Sequence, residues 1–332
     1  MTKKTKAIAL ISGGLDSLLA AHVIMDQGIE VKGIVFILQF ASKNMDAYKK
    51  QVREASEEAG IVIDFFDISE PFLEVLKSPC HGFGANLNPC IDCKILMLRY
   101  AKNIMARENA KFIITGEVLG ERPMSQRRGA LETIERDSAV AGCLLRPLSA
   151  KLLEETVLEK EGIVDREKLL DIQGRSRERQ LKMAKHYGLT KYFAPGGGCL
   201  LTEKLFSRKI KDLMDAQVLS MENVELLKYG RHFRLDKETK AIVGRDKKEN
   251  AVLIALKGKQ DILLRMKNTP GPCSLLIGKG KEQNIRTTAA LVISHSKYKE
   301  KNTCIEYWQR GKGRKILTVD PLSQKEIEKL RI

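Results

Sequence analysis

Two groups of residues in this 332-residue chain have the types and spacing of chemistry. The first is Ser12-Gly13-Gly14-Leu15-Asp16-Ser17, directly after the apolar run at residues 7–11. Paired glycines let successive backbone N–H groups turn towards one anion, and a helix starting there adds a positive partial charge. Ser12 and Ser17 can donate hydrogen bonds to phosphate oxygens, and Asp16 is suited to hold Mg2+ beside them. The hexapeptide fits neither G-x-x-x-x-G-K-[ST] nor G-x-G-x-x-G, and its plain alternative is an Asp-capped turn. The second group is thiols. Cys90 and Cys93, in Asn88-Pro89-Cys90-Ile91-Asp92-Cys93, stand two residues apart before a helical pattern. That spacing lets both sulfurs face one metal and places them where a helix N-terminus lowers thiol pKa. Cys199 follows three glycines at 196–198, which allow close backbone approach to a ligand. It is otherwise a small buried hydrophobe. Three cysteines can hold three irons of a [4Fe–4S] cluster and leave the fourth open. A zinc site would need a fourth ligand, and Cys80 with His81 would supply it beside Cys90 and Cys93.

The elements that must position these residues alternate strand and helix. Strand-like runs at 7–11, 31–38, 62–66 and 112–115 are separated by helical patterns at 15–26, 45–59 and 94–107. Short apolar strands buried on both faces imply a parallel sheet covered by helices. The loops at 78–92 and 194–199 then lie where functional residues gather, at the carboxyl ends of strands. Beyond residue 205 the texture changes. A helical stretch at 206–227 leads to strand patterns at 233–235, 241–243, 262–266 and 274–277, a helix near 286–295, and strands at 304–307 and 315–319. The expected fold is α/β, a doubly wound parallel sheet in residues 1–205, followed by a smaller basic α+β domain in residues 206–332.

Bulk composition narrows the classes. The chain is 43% hydrophobic and 30% charged, with no uncharged apolar stretch long enough for a membrane span. Its polar N-terminus leads into a strand rather than a signal-peptide core, and seven scattered cysteines do not make a secreted disulfide scaffold. A cytoplasmic protein is expected. The net charge of +16 is uneven: residues 206–332 hold about 28 Lys/Arg against about 15 Asp/Glu, while residues 1–205 are near balance. A basic back half calls for a phosphate-rich partner, although abundant surface charge also serves solubility.

The hexapeptide at residues 12–17, at a strand-to-helix junction, resembles the PP-loop of the ATP pyrophosphatases. That resemblance implies a HUP-like Rossmannoid fold, cleavage of ATP between its α and β phosphates, and adenylation of the substrate. With the cysteines included, the chain is similar over residues 5–205 to the tRNA 4-thiouridine and 2-thiouridine synthetases. Thr115-Gly116-Glu117, Leu119-Gly120 with Ser125-Gln126, and Leu145-Arg146-Pro147-Leu148 resemble stretches of those enzymes. The likeness implies nucleotide contacts at residues 12–17, Gly116 and Glu117, and cluster ligands at Cys90, Cys93 and Cys199. Some members instead lack the cluster and use two such cysteines for persulfide and disulfide chemistry. The N-terminal RNA-binding extension usual in 4-thiouridine synthetases is not expected here, since the ATP strand begins near residue 6, nor is a rhodanese-like domain.

Residues 233–250, Pro270-Gly271-Pro272, Thr288-Ala289-Ala290 and Ser296-Lys297 resemble the RNA-binding domain of NFACT proteins. Arg245, Lys247, Lys248, Lys297, Lys299, Arg310, Lys312 and Arg314 are the expected phosphate contacts, with Tyr298, Tyr307 and Trp308 as stacking candidates. The expected function is therefore a tRNA sulfurtransferase that adenylates a uridine and replaces its carbonyl oxygen with sulfur. Its cofactors would be ATP, Mg2+ and a [4Fe–4S] cluster; its partners tRNA and inorganic sulfide or a sulfur-donor protein, with a homodimer as candidate assembly. The rivals are a PP-loop tRNA enzyme with a non-sulfur acceptor, thiolation through persulfide with zinc or no metal, and a non-catalytic ATP- and RNA-binding factor.

Overall fold

The computed structural model describes residues 4–194 and 199–332, so the glycines at 196–198 lie outside the described residues. The chain divides into two compact units, Met1–Thr202 and Glu203–Ile332.

The first unit runs β1 (Lys6–Leu10), α1 (Leu15–Met25), β2 (Glu30–Ile37), α2 (Met45–Glu58), β3 (Ile63–Asp67), α3 (Ser69–Lys77), α4 (Cys90–Arg107), β4 (Phe112–Thr115), α5 (Arg128–Asp137), β5 (Leu144–Leu145), α6 (Val157–Lys160) and α7 (Glu178–His186). Its five strands pair in parallel in the order β3-β2-β1-β4-β5. β1 is central: Ala7 faces Val31 on one side and Phe112 on the other. The chain walks outward from β1 to β3, then returns to place β4 on the opposite flank of β1. That reversal opens a crevice at the carboxyl ends of β1 and β4. Residues 12–17 and 115–117 sit there.

The sheet carries a core in which Leu15, Leu18, Leu19, Ala20, Ala21 and Ile24 of α1 are all fully buried. α1 packs against both the sheet and α7, so it is apolar all round rather than along one stripe. Surface helix α2 buries only Val52, Ala55 and Ser56, and starts where the Asn44 side chain accepts from the Ala47 N–H. Helix α4 begins four residues before the expected Lys94. Pro89 precedes it and its carbonyl accepts from Cys93 N–H at 2.8 Å, so both cysteines lie in its first turn.

The second unit contains α8 (Lys204–Asp215), α9 (Met221–Leu227), β6 (Arg231–Arg234), β7 (Lys240–Val243), α10 (Lys247–Ala255), β8 (Ile262–Met266), β9 (Cys273–Ile277), α11 (Glu282–Ser294), β10 (Thr303–Gln309), β11 (Lys315–Val319) and α12 (Gln324–Leu330). Its six strands form an antiparallel sheet in the order β11-β10-β8-β9-β7-β6. Ala289, Val292 and Ile293 of α11 meet Ile262, Leu264, Leu276 and Ile305 on one face. Leu226 of α9 and Leu253 of α10 meet Ile242, Leu263 and Leu275 on the other. The whole is an α/β parallel-sheet unit followed by an α+β unit. No helix among the described residues is long and apolar enough to cross a membrane.

Candidate active site

The loop after β1 is knitted by its own serines. Ser12 Oγ accepts from the Gly14 N–H at 3.3 Å, and Ser17 Oγ accepts from the Ser12 N–H at 3.2 Å. The Ser17 hydroxyl donates to the Gly14 carbonyl at 2.8 Å. Ser17 thus spends its proton on shaping the turn rather than on an incoming anion. Gly13 has φ +76°, a conformation a side chain would strain, and a Cβ there would collide with the Phe193 ring. The Leu15 side chain is fully buried, which leaves only its backbone to meet a ligand.

Asp16 heads α1 and faces residues that the spacing arguments did not mark. Arg177 lies one residue before α7, and its Nη2 is 3.7 Å from Asp16 Oδ2. Gln180, 1% exposed, lies against the same carboxylate. Among the described residues Asp16 Oδ1, Arg177 Nε and both amide atoms of Gln180 are buried without a hydrogen-bond partner. Burial pushes the Asp16 carboxyl up, against the pull of Arg177 and Arg122. Glu121 is raised likewise, first by burial and then by Asp16 itself. A carboxylate raised by its neighbour's charge, with Arg122 and Arg177 acting on both, suits a cation-bearing polyphosphate. The sequence signal for this group is faint: an arginine-rich stretch, Gly174-Arg175-Ser176-Arg177, before a helix.

Gly116 and Glu117 follow β4. A Cβ on Gly116 would stand 2.5 Å from Ser17 N and 2.6 Å from the Asp16 carbonyl, so bare backbone is what lets the two loops touch. Glu117 is 3% exposed, with Lys94 Nζ 2.8 Å from Oε1 and Arg146 Nε 3.1 Å from Oε2. Thr115 Oγ1 donates to Oε2 at 3.1 Å. Burial opposes the charge, but Lys94 and Arg146 prevail and hold the carboxyl at about 2. Glu117 therefore joins α4, the β4 edge and the segment after β5, rather than presenting itself to a nucleotide. Glu117→Gln should lower the unfolding free energy by about 2–4 kcal/mol, because it takes the carboxylate from half-buried Lys94 and leaves buried Arg146 only Glu135, 2.8 Å from Nη1. Since its pKa is depressed, the stabilisation is complete above the usual value of 4.5 and disappears as pH falls through about 2. Urea titrations across that window should show this acid dependence reduced in the variant. An unchanged slope would remove Glu117 from the stability account.

The three cysteines come together by separate ties. Cys90 and Cys93 are placed by the first turn of α4, and Cys90 Sγ donates to Ser125 Oγ at 3.3 Å. On the other strand of chain, Phe193 N–H donates to the Gly13 carbonyl at 2.9 Å. After Cys199, Leu200 N–H donates to the Phe40 carbonyl at 2.8 Å and Leu87 N–H to the Leu201 carbonyl at 3.3 Å. Asn86 Nδ2 donates to the Thr202 carbonyl at 2.7 Å. Phe193 is thus tied to the nucleotide loop, and the residues that follow Cys199 are tied to Phe40 and to the loop before Cys90. The thiols feel one another: burial pushes Cys93 far above the usual thiol value, with Cys199 and then Cys90 adding to the rise. Burial likewise raises Cys199 to about 11, with Cys90 contributing. Among the described residues no group of three or more His, Cys, Asp or Glu side chains is arranged to hold a metal ion.

The zinc alternative loses its fourth ligand to carboxylates. His81 Nδ1 lies 3.0 Å from Asp92 Oδ1, and Nε2 lies 3.0 Å from Asp137 Oδ2. Asp92 also accepts the Cys80 and His81 N–H groups, at 3.1 and 3.0 Å. His81 therefore braces the loop, and Cys80 is exposed.

In the second unit Arg245, Lys247 and Lys248 lie at the start of α10, Lys297 and Lys299 between α11 and β10, and Arg310, Lys312 and Arg314 at the β10–β11 turn. All are exposed. Tyr298 is exposed, whereas Tyr307 packs into the core against α11. Tyr307 is half-buried on the α11 side of the sheet.

The family model described as thiamine biosynthesis protein (ThiI) matches residues 2–179, more than half of the chain. The model of the NFACT protein RNA-binding domain matches residues 230–331. A probable tRNA sulfurtransferase of Thermococcus kodakarensis is 28% identical over 165 residues, covering 48% of this chain and 39% of that protein. The tRNA-specific 2-thiouridylase MnmA of Helicobacter acinonychis is 34% identical over 95 residues, 28% of each chain. The chain thus spans well under half the length of these curated relatives. A solved 4-thiouridine synthetase–RNA complex with bound ATP is 19% identical, covering 68% of this chain and 52% of that one at a TM-score of 0.40.

Proposed function

Because the chain belongs to the ThiI family, we propose that it is an ATP-dependent tRNA sulfurtransferase that converts a uridine carbonyl to thiocarbonyl. The observation that carries this reading is the meeting of Cys90, Cys93 and Cys199 beside a nucleotide-shaped loop, each within reach of another's charge. Residues 1–205 would carry the chemistry and residues 206–332 would hold the RNA.

In this reading the N–H groups of residues 12–17 receive the phosphates, and Arg122 and Arg177 neutralise them. The orphaned Asp16 Oδ1, with Glu121 near it, fits a divalent cation such as Mg2+ by donor type. The uridine carbonyl oxygen attacks the α-phosphorus of ATP. The bond to the bridging α–β oxygen breaks, pyrophosphate leaves, and the base is adenylated. A sulfur nucleophile at the thiol face then adds to the activated carbon, AMP departs with the former carbonyl oxygen, and the thiocarbonyl remains. The thiols fit a [4Fe–4S] cluster by donor type and number, and when bound it would supply an open iron able to hold sulfide. Inorganic sulfide or a donor protein would provide the sulfur.

A second route draws on the Cys93–Cys199 pair, near enough for the charge of one to act on the other. In it a cysteine persulfide, its outer sulfur transferred from a persulfide-bearing donor protein, attacks the activated carbon, AMP leaves, and a second thiolate closes a disulfide as the thiocarbonyl is released. One experiment tests the function and separates the routes. Protein purified without oxygen is assayed for iron and acid-labile sulfide, then given tRNA, ATP and either sulfide or a persulfide-bearing donor protein, and the nucleosides are read by mass spectrometry. Thiouridine formed with one AMP per sulfur supports the proposal. Thiouridine from sulfide with bound iron marks the cluster route, thiouridine from the persulfide donor alone marks the second, and AMP release with no thiouridine from either source would mean a different acceptor.

A further inference from the structure

The second unit's sheet has one face packed by α11 and one that is only partly covered. Along β10, alternation sends Ile305 and Tyr307 to the α11 core and Cys304, Glu306 and Trp308 to the opposite side. On β11 the corresponding outward residues are Ile316, 53% exposed, and Thr318, also exposed. On the same side, β10 register places Glu306 opposite Arg265 of β8 and opposite Ile316. α9 and α10 cover the other end of this face, leaving Trp308 half-buried at the margin of their core.

Three cations ring that indole. The guanidinium carbons of Arg314 and Arg265 lie 4.9 and 5.3 Å from the ring centroid, and Lys257 Nζ lies 5.7 Å away. Glu306 holds both guanidinium groups, accepting from Arg265 Nε and, at 3.5 Å, from Arg314 Nη1. Glu306 beside the two guanidinium groups and Asp261 beside Lys257 offset part of this charge, and Arg310, Lys312 and Lys315 keep the patch positive along the exposed turn and edge. A core tryptophan has no use for such a ring, and a plain solvated basic face has no use for the indole. Flat π surface with oriented guanidinium planes is what an unpaired base stacks on, and the surrounding charge is what its phosphates need.

We infer that the open face of β8, β10 and β11, centred on Trp308, Arg265 and Arg314, is a stacking platform for unpaired nucleotides of an RNA. It rests on the reading above that the second unit holds RNA, and it names where and by what chemistry.

Trp308 is the sole tryptophan of the chain, so its emission reports on this site alone. The full chain is titrated with single-stranded oligoadenylate, a duplex RNA of equal length, inorganic polyphosphate and polyglutamate. Oligoadenylate should quench the emission saturably, and the other three should quench it far less. With labelled oligoadenylate, Trp308→Leu should weaken binding about tenfold, within the range for loss of one stacked base, and Trp308→Phe should restore most of it. Arg314→Glu, at an exposed position, should weaken binding and flatten its salt dependence by about one phosphate contact. RNA that binds without quenching, equally to wild type and Trp308→Leu, overturns the platform while leaving tRNA thiolation standing. Equal quenching by polyphosphate or polyglutamate overturns it in favour of a general anion or acidic-protein surface. No RNA binding by the full chain removes both this inference and the reading it rests on.

Discussion

Cys199→Ala is expected to abolish thiouridine formation, by at least about a thousandfold in kcat, while ATP is still converted to AMP and pyrophosphate in the presence of tRNA. The separation follows from position. Cys199 lies in the first unit beside Cys90 and Cys93, but no described contact joins its side chain to the loop at residues 12–17 that would bind phosphates. Groups that work as one unit fail together, so losing a second member adds little. Cys93→Ala combined with Cys199→Ala should therefore be no worse than either alone. Quantifying thiouridine and AMP in the same reaction tests both statements. If Cys199→Ala retained a tenth of the thiolation rate, the thiol cluster would not be the sulfur-handling centre. If the double variant were much slower than each single one, the cysteines would act in independent steps.

Gly116→Ala should cost at least about a hundredfold in kcat/KM for ATP, although it adds one carbon. That carbon would meet Ser17 N at 2.5 Å and the Asp16 carbonyl at 2.6 Å. These are backbone atoms at the head of a helix most of whose side chains are buried, so they cannot swing aside as a flexible side chain would. Either β4's loop or the nucleotide loop must shift, and a displacement of about an ångström at a reacting centre is enough for a loss of this size. Gly129→Ala is the matched control, since a Cβ there meets nothing within 4 Å; it should leave kinetics unchanged and, inside α5, hold or slightly raise the melting temperature. Normal ATP kinetics in Gly116→Ala would mean that the β4 loop does not brace the nucleotide site.

Much of the scaffold was readable from the chain because its signals are local. Strand β1, the hexapeptide and helix α1 follow one another within twenty residues, and their apolar runs and glycines report directly on backbone geometry. The same holds for β2, β4 and the antiparallel strands of the second unit. Helices α3, α5 and α7 were less visible. They are short and amphipathic, two of them border the loops that carry polar site residues, and their charged faces mask the apolar stripe.

The sequence by itself determined which chemical groups exist: a phosphate-shaped turn, a pair of thiols at a helix start, a distant third thiol, and a basic second half with one indole. Only the tertiary structure decided which of them meet. Arg177 and Gln180 reach Asp16 from more than 160 positions away because α1 and α7 pack together. Glu117 turned from a nucleotide contact into a buried brace because Lys94 and Arg146 converge on it. Tyr307 and its neighbour Trp308 parted because successive residues of a strand face opposite sides of the sheet. Local pattern records backbone preference over a few residues. Which side chains become neighbours across the sheet depends on strand order and register, which are properties of the whole packed core.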